Sequence, residues 1–289
     1  MAKIAVENRP LPDRHARTSE RGSQQPQVLA AGDGWSIYDV VCTAGPKDPA
    51  FEEQHSRTSV AVVLSGTFQY RTATGSELMT TGSILLGNPG ESFECGHEHG
   101  IGDRCISFHY SDEFCERSEI APKQLFHIPR IPALRALSKV VASASMLQRN
   151  DIDHGLFQET AFQVLDRAAH LQHGLSCRKG TPSVSSLARV TRVLRAIEAH
   201  PEEPNELAEL AANARLSPYH FLRCFEDLTG TTPHQYVLRT RLRRAAMRLK
   251  QEPTRIIEIA LGCGFGDVSN FNRVFHAEFG KSPRLYRRI

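Results

Sequence analysis

The chain has 289 residues, of which 40% are hydrophobic and 23% are charged, with a formal net charge of +3. These values exclude a disordered or fibrous chain, and the length predicts two domains. An apolar run of about 18 residues, as a membrane span requires, does not occur, and residues 1–25 lack the apolar segment of a signal peptide. The seven cysteines are scattered, which favours a reducing compartment, so we expect a cytoplasmic protein without membrane contact.

Positive charge is concentrated in the C-terminal part of the chain. Residues 183–289 contain 17 basic and 11 acidic side chains, a net charge of +6, whereas the other residues contain 18 basic and 21 acidic side chains, a net charge of −3. This asymmetry indicates a basic region that faces nucleic acid, joined to a neutral or acidic domain. A basic surface that is merely solvated would give the same counts.

The N-terminal half is predicted to be a β domain at residues 31–125 that follows a disordered tail at residues 1–30. Short segments with β patterning alternate with Gly, Pro, Asp and Asn, as is typical of an antiparallel sandwich or barrel. These segments are residues 35–43, 59–66, 67–72, 82–88 and 104–110.

Helical spacing of apolar residues replaces the β pattern after residue 131. It predicts two helices, within residues 132–148 and 155–175, which form a helical hairpin and dimerisation segment at residues 126–178. A linker with Gly, Pro and small polar residues follows at 179–185, and residues 186–289 show a purely helical pattern. The sequence thus predicts an α+β protein with two domains, the second of them all-α.

An internal repeat with an offset of 50 residues links two parts of the C-terminal domain. The positions that match are Ser217, Phe221, Arg223, Phe225, Gly230, Pro233 and Tyr236 with Asp267, Phe271, Arg273, Phe275, Gly280, Pro283 and Tyr286. Each copy is predicted to be a helix, a tight turn and a second helix, with Ser217 or Asp267 as the N-cap and Gly230 or Gly280 at the C-terminus. The duplication predicts two helix-turn-helix units.

The two faces of each second helix are separated by their spacing. Phenylalanines at positions i and i+4 form a core face, and the opposite face carries side chains that suit a DNA major groove, since Arg pairs with guanine and Asn with adenine. The arginines of residues 239–248, in the helix that joins the two copies, are predicted to form a solvated or phosphate-near face.

The segment GFGDVSNFNRVFHAEFGKSPRLYRR at residues 264–288 resembles the signature of the AraC/XylS family of transcription regulators, and the similarity extends over residues 183–289. The resemblance implies that both second helices enter adjacent segments of the major groove. It implies base-facing roles for seven residues, with the two N-caps near phosphates. The seven are Tyr219, Leu222, Arg223, Val268, Ser269, Asn272 and Arg273, and the N-caps are Ser217 and Asp267. For the two arginines, a phosphate contact or a solvated position is the alternative.

The β region is similar to the cupin-like sensing domain that often precedes this DNA-binding domain, through its short strands and the segment GSILLGNPGESF at residues 82–93. A metal-dependent cupin enzyme needs a cluster of His and Glu ligands. Here the first motif offers only His55, and Phe93 stands where a histidine of the second motif is expected. The resemblance therefore implies a pocket for a small effector, and neither a cofactor nor an enzymatic activity is expected.

Cys95, His97, His99 and Cys105 form a cluster with the chemistry of metal ligands. Alternate residues share one face of a strand, so the first three side chains would converge on a soft metal, with Cys105 returning from the next strand. Gly96 and Gly100 favour a loop instead, and a structural or solvated role for these side chains is the alternative.

The leading hypothesis is a sequence-specific transcription regulator, an activator or a repressor. Its expected partners are promoter DNA, RNA polymerase and a small effector, with homodimerisation through the N-terminal half. Two alternatives stay open, a metal- or thiol-responsive regulator that uses the Cys95 to Cys105 cluster and a cupin-type metal enzyme fused to a DNA-binding domain. Because both helix-turn-helix units lie in one chain, a monomer is expected to read an asymmetric DNA site.

Overall fold

The structure is a computed structural model that describes residues 24–288, except 49–50, 98–99, 101, 119, 121–124, 150–151, 178–179 and 181. The chain divides into two compact units. Met1–Pro132 and Ser143–Pro182 form the first unit, and Ala133–Ala142 and Ser183–Ile289 form the second. Within the described residues, no helix combines the length and the apolar character that crossing a membrane requires.

Ten strands of the first unit, counted over the described residues, form two antiparallel sheets. They are β1 (Gln24–Gly32), β2 (Trp35–Cys42), β3 (Phe51–Gln54), β4 (Thr58–Ser65), β5 (Thr67–Thr72), β6 (Gly75–Thr80), β7 (Ile84–Gly87), β8 (Ser92–Gly96), β9 (Asp103–Tyr110) and β10 (Arg130–Ile131). One sheet has the order β1-β2-β9-β4-β7-β10 and the other the order β3-β8-β5-β6. The N-terminal antiparallel β domain that the sequence predicts is confirmed.

Strand β4 is buried on both faces, which explains its unbroken apolar sequence. Ala61 and Val63 pack into an apolar cluster with residues of the second sheet, including Phe68 and Tyr70. Helix α3 (His154–Gln172) packs across the six-stranded sheet. The Tyr110 hydroxyl of β9 donates a hydrogen bond of 2.8 Å to a backbone carbonyl of this helix. The first unit is therefore a two-sheet core covered by a helix.

The sequence-based boundaries change in two places. Strand β1 begins at Gln24 and pairs with β2, so residues 24–30 do not belong to a disordered tail, and residues 1–23 lie outside the described residues. Two short helices, α1 (Asp112–Arg117) and α2 (Ser138–Met146), precede α3. The segment 133–142, which includes the start of α2, belongs to the second compact unit and not to a separate hairpin.

The described part of 183–288 is helical, as predicted. Its helices are α4 (Val184–Ala199), α5 (Leu207–Ala214), α6 (Pro218–Thr229), α7 (Pro233–Gln251), α8 (Ile256–Gly262), α9 (Val268–Phe279) and α10 (Pro283–Arg288). The long α7 joins the two copies of the repeat and buries Tyr236, Leu242, Ala245 and Leu249 on one face. The second copy encloses its own apolar cluster around Phe271 and Phe275.

Segment 133–142 forms hydrogen bonds with helices α7 and α9 of the second unit. Arg239 of α7 donates a hydrogen bond of 3.0 Å to the carbonyl of Ala133. The hydroxyl of Ser138 donates to the carboxylate of Glu278, which is buried near the end of α9. The guanidinium of Arg135 donates to the Ala277 carbonyl. These bonds explain why the segment belongs to the helical unit despite its place in the sequence.

Candidate nucleic-acid interface

The turns of the two copies have the same backbone hydrogen bond. In the first copy, the Leu216 amide donates to the Ala211 carbonyl at 3.0 Å, and in the second, the Phe265 amide donates to the Ala260 carbonyl at 3.1 Å. The residue before the donor is left-handed in both, with φ of 55° at Arg215 and 83° at Gly264. The copies are therefore related in detailed geometry as well as in sequence.

The second helix of each copy, α6 or α9, has a side-chain N-cap, as the sequence predicts. The Ser217 hydroxyl accepts a hydrogen bond of 3.4 Å from the His220 amide. The Asp267 carboxylate accepts two, of 3.1 Å from the Ser269 amide and 2.8 Å from the Asn270 amide. Such caps satisfy amide groups that the helix itself leaves unbonded. The N-termini of α6 and α9 are thereby fixed.

Glycine ends both helices in the same conformation. Gly230 and Gly280 have the same φ of 72°, and each donates its amide to a helix carbonyl at 2.8 Å. A left-handed glycine is a common helix end because it has no Cβ to clash. The structure thus has the helix ends that were predicted from the repeat.

Phenylalanines anchor the inner face of each second helix. Phe221, Phe225, Phe271 and Phe275 are completely buried. The ring centroids of the first two are 5.5 Å apart, and those of the second two are 5.4 Å apart. This packing fixes the rotation of each helix about its axis, so the residues of the opposite face are directed to solvent.

The outer face of α6 carries an exposed aromatic and a cation. The side chain of Tyr219 is 70% exposed, and the Arg223 guanidinium lies 5.8 Å from the centre of its ring. A cation over an aromatic face is stabilised electrostatically, so the arginine is partly oriented before any ligand binds. Leu222, which the sequence also predicts to be base-facing, is only half-buried and remains accessible.

The outer face of α9 is more polar. Ser269, Asn272 and Arg273 are exposed, and Val268 is half-buried. The guanidinium of Arg273 donates a hydrogen bond of 2.8 Å to the side-chain oxygen of Asn270. The sequence analysis missed Asn270, although its place three residues before Arg273 on a helix is the signal that would have found it.

Two arginines of α7 are bonded to other parts of the second unit, which the sequence analysis did not predict. Arg241 donates hydrogen bonds of 2.6 Å to the carbonyls of Pro201 and Glu203, in the turn that follows α4. Arg244 forms an ion pair of 2.6 Å with Glu202. These side chains join helices of the second unit, because carbonyls and carboxylates of that turn face α7.

The cluster proposed at Cys95 to Cys105 is arranged differently from the sequence prediction. Cys95 and Cys105 are buried in the apolar cluster between the sheets, and His99 lies outside the described residues. His97 contacts Cys42 and Asp103, neither of which the sequence analysis considered. Burial alone lowers the pKa of His97, but the hydrogen bonds to Asp103 and Cys42 outweigh it and raise the pKa to about 10.

His55, which the cupin comparison singled out, is a core residue. Its Nε2 atom lies 2.7 Å from the Tyr70 hydroxyl, and its Nδ1 atom lies 2.7 Å from the Ser59 hydroxyl. The ring of Phe93 stacks on it, with centroids 4.3 Å apart. Burial, with a smaller contribution from His109, lowers the pKa of His55 to about 4. Both ring nitrogens are thus engaged in a neutral imidazole.

Residues 210–289 match the family described as Helix-turn-helix domain. The chain is 38% identical over 78 residues to the HTH-type transcriptional regulator Rv1931c of Mycobacterium tuberculosis, a match that covers 27% of this chain and 30% of that protein. Other curated relatives, including the regulator MtrA of Neisseria gonorrhoeae, are matched over similarly short regions, so the chain covers less than a third of their length.

Two solved structures are similar to about a third of this chain. One is a transcriptional regulator of Chromobacterium violaceum that contains an AraC-type DNA-binding domain, with 31% identity over 37% of this chain and 95% of that chain, at a TM-score of 0.34. The other is the DNA-binding domain of AdpA in complex with a target DNA, with 30% identity over 35% of this chain and 90% of that chain, also at a TM-score of 0.34.

Proposed function

We propose that this chain, whose C-terminal region is an AraC-type helix-turn-helix domain, is a sequence-specific regulator of transcription that binds promoter DNA. The observation that carries the proposal is the duplicated unit with matching turns, caps and helix ends. Each copy buries two phenylalanines on one face of its second helix and exposes polar and cationic side chains on the other. Two such helices in one chain suit an asymmetric DNA site.

The exposed side chains supply the chemistry of base recognition. Arg223 and Arg273 are proposed to contact guanine edges, and Asn272 is proposed to contact adenine. The stacking of Arg223 on Tyr219 and the hydrogen bond of Arg273 to Asn270 support this role. Each contact restricts a long side chain before DNA arrives, which lowers the entropy lost on binding.

We further propose that the first unit receives a small-molecule signal and mediates homodimerisation, and that the DNA-bound protein acts on RNA polymerase. The negative charge of the residues before 183 supports a role other than DNA contact. A cupin-type metal enzyme is not favoured, because the His55 nitrogens are occupied by Ser59 and Tyr70 and its ring is stacked on Phe93.

The proposal is tested by selecting preferred duplexes from a random DNA library with the full-length chain, then measuring affinities for the selected site and for sites with single base changes. Arg223→Ala and Arg273→Ala should each reduce discrimination at one position by about 1 to 3 kcal/mol, or about 5- to 150-fold. The matched control is Arg195→Ala, an exposed arginine of α4.

The control should retain the wild-type sequence preference while losing the same formal charge. If no duplex is enriched, or if the double variant Arg223→Ala/Arg273→Ala keeps the wild-type preference, the proposed role of these residues in base recognition is wrong. Circular dichroism of each variant establishes that the helices persist, which is expected because both arginines lie outside the core.

A further inference from the structure

Three side chains with different ligand chemistry meet at one end of the two sheets of the first unit. Cys42 is the last residue of β2, Asp103 is the first residue of β9, and the two are directly paired in the sheet. His97 follows β8 of the opposite sheet. A sulfur, a nitrogen and a carboxylate oxygen of these residues all lie within 4.8 Å of one another. We call these three residues the Cys–His–Asp cluster.

Strand alternation explains why the cluster faces the space between the sheets. Cys105 lies two residues after Asp103 on β9, and Cys95 lies two residues before His97, so each pair has the same parity along the chain. Cys95 and Cys105 both belong to the buried cluster between the sheets. The Cys–His–Asp cluster thus continues this interface, which also holds the side chains of Cys95 and Cys105.

Two members of the cluster, His97 and Asp103, are buried to a degree that is unusual for a histidine and an aspartate. Cys42 is 3% exposed, and the side chains of His97 and Asp103 are 3% and 6% exposed. Burying a carboxylate and an imidazole is costly unless they are paired or bind a metal. The His97 Nε2 atom lies 2.8 Å from Asp103 Oδ2 and 3.5 Å from Cys42 Sγ, so one nitrogen is aimed at both other ligand atoms.

We propose that Cys42, His97 and Asp103 bind a zinc-class divalent metal ion through one sulfur, one nitrogen and one oxygen atom. Bond lengths of about 2.0 to 2.3 Å in a tetrahedral site place ligand atoms about 3 to 4 Å apart. The separations of 2.8 and 3.5 Å are near this range, so a small outward shift admits the ion. Thiolate, imidazole and carboxylate are all established zinc ligands.

Binding of the metal ion requires that Cys42 and His97 lose protons. The thiol of Cys42 loses its proton when it becomes a ligand, and the Nε2 atom of His97 must be free of a proton to donate its lone pair. The ion replaces the proton that His97 and Asp103 share in the hydrogen bond between them. With three protein ligands, a fourth position is left for water.

The test uses the full-length chain, purified in a reducing buffer, and two probes, Zn²⁺ and Co²⁺. One equivalent of Zn²⁺ should be retained after gel filtration, and Co²⁺ should give a thiolate-to-cobalt charge-transfer absorption that Zn²⁺ displaces. Cys42→Ser should remove this absorption and weaken Zn²⁺ binding by at least about 100-fold, since even outer-shell changes cost about 10- to 100-fold. The matched control is Cys177→Ser, a half-buried cysteine elsewhere in the first unit.

Asp103→Asn is a second variant that keeps the shape of the side chain, so the proposal remains testable if Cys42→Ser fails to fold. It should weaken Zn²⁺ binding while the charge-transfer absorption persists, because the thiolate is still present. Wild-type protein that takes up less than a tenth of an equivalent of Zn²⁺ would overturn the proposal, as would unchanged affinity in both variants. The site lies within the first unit, so this result is independent of the DNA-binding test.

Discussion

Asn270 and Arg273 illustrate how one residue prepares another for recognition. The Asp267 carboxylate caps the N-terminus of α9 by accepting a hydrogen bond from the Asn270 backbone amide, and the side-chain oxygen of Asn270 accepts one from the Arg273 guanidinium. The same residue therefore links the helix cap to a side chain of the proposed DNA-binding face. In the first copy an aromatic ring orients the arginine instead, since the guanidinium of Arg223 lies over the ring of Tyr219. The two helices share a framework and differ in how they orient their arginines.

His55 makes the stability of the first unit depend on pH. Its pKa falls from 6.5 to about 4 in the folded chain, chiefly because of burial. The unfolded chain therefore binds the proton first, so the contribution is fully present above pH 6.5 and is lost as the pH falls toward 4. We expect a loss of about 3 kcal/mol in the free energy of unfolding over this window.

The measurement is urea unfolding at several pH values, followed by the fluorescence of Trp35, which is the only tryptophan of the chain and is buried in the first unit. In His55→Gln, the amide can replace both hydrogen bonds, and the dependence on pH between 6.5 and 4 should become shallower. A slope equal to that of the wild type would show that His55 does not carry the effect. His173→Gln, a histidine outside this core, is the control.

At the scale of single elements, the turns of the two copies offer a matched pair of substitutions. Arg215 and Gly264 occupy the equivalent left-handed position, with φ of 55° and 83°. A non-glycine residue is strained there, so Arg215→Gly should raise the free energy of unfolding of the second unit by about 0.5 to 1 kcal/mol. A Cβ at Gly264 would lie 2.8 Å from the backbone of Glu202, so Gly264→Ala should lower it by about 1 to 3 kcal/mol.

Helical circular dichroism during urea unfolding measures both variants, and the fluorescence of Trp35 serves as an internal control for the first unit. We expect the two substitutions to change the free energy of unfolding in opposite directions, although they lie at equivalent positions. Destabilisation of the second unit by Arg215→Gly would contradict the argument from backbone strain, because the variant removes no side-chain contact of the buried core.

The elements that could be predicted from the sequence are those with a local signature. Helices α6 and α9 each have an N-cap, a phenylalanine spacing and a terminal glycine, which together lie within residues 217–230 and 267–280. Strand β1 was missed because QQPQVLAAG has no apolar alternation, and β3 was missed because FEEQ is mostly polar. Both are recognisable as strands only through their pairing with β2 and β8.

The candidate sites also divide into features that local sequence predicts and features that depend on contacts between distant residues. Exposure of Tyr219 and Arg273 was predictable because helical period separates them from the core face. The contact between His97 and Cys42 was not, because strand register brings together residues 55 positions apart. The left-handed conformation of Arg215 also has no local signal, since arginine has no preference for that conformation.

For the whole molecule, the separation of charge determines how DNA binding should respond to salt. Residues 183–289 carry 17 basic side chains, but not all of them are available to phosphates. Arg241 is bonded to two backbone carbonyls, and Arg243 and Arg244 pair with Glu198 and Glu202. The number of counterions released on binding should therefore be well below the number of basic residues.

A basic residue of this domain can stabilise the fold or contact DNA phosphates, and Arg241→Ala is expected to distinguish the two roles. Loss of two charge-assisted hydrogen bonds of 2.6 Å should lower the free energy of unfolding by about 1.5 to 3 kcal/mol. The slope of log K against log salt for the selected duplex should stay as in the wild type, since a lost phosphate contact would reduce it by about 1. Arg223→Ala is the matched variant, because it removes the same charge from α6 and should weaken binding without destabilising the fold. A reduced slope in Arg241→Ala would mean that α7 contacts the DNA backbone, and the arginines of this helix would then join the interface.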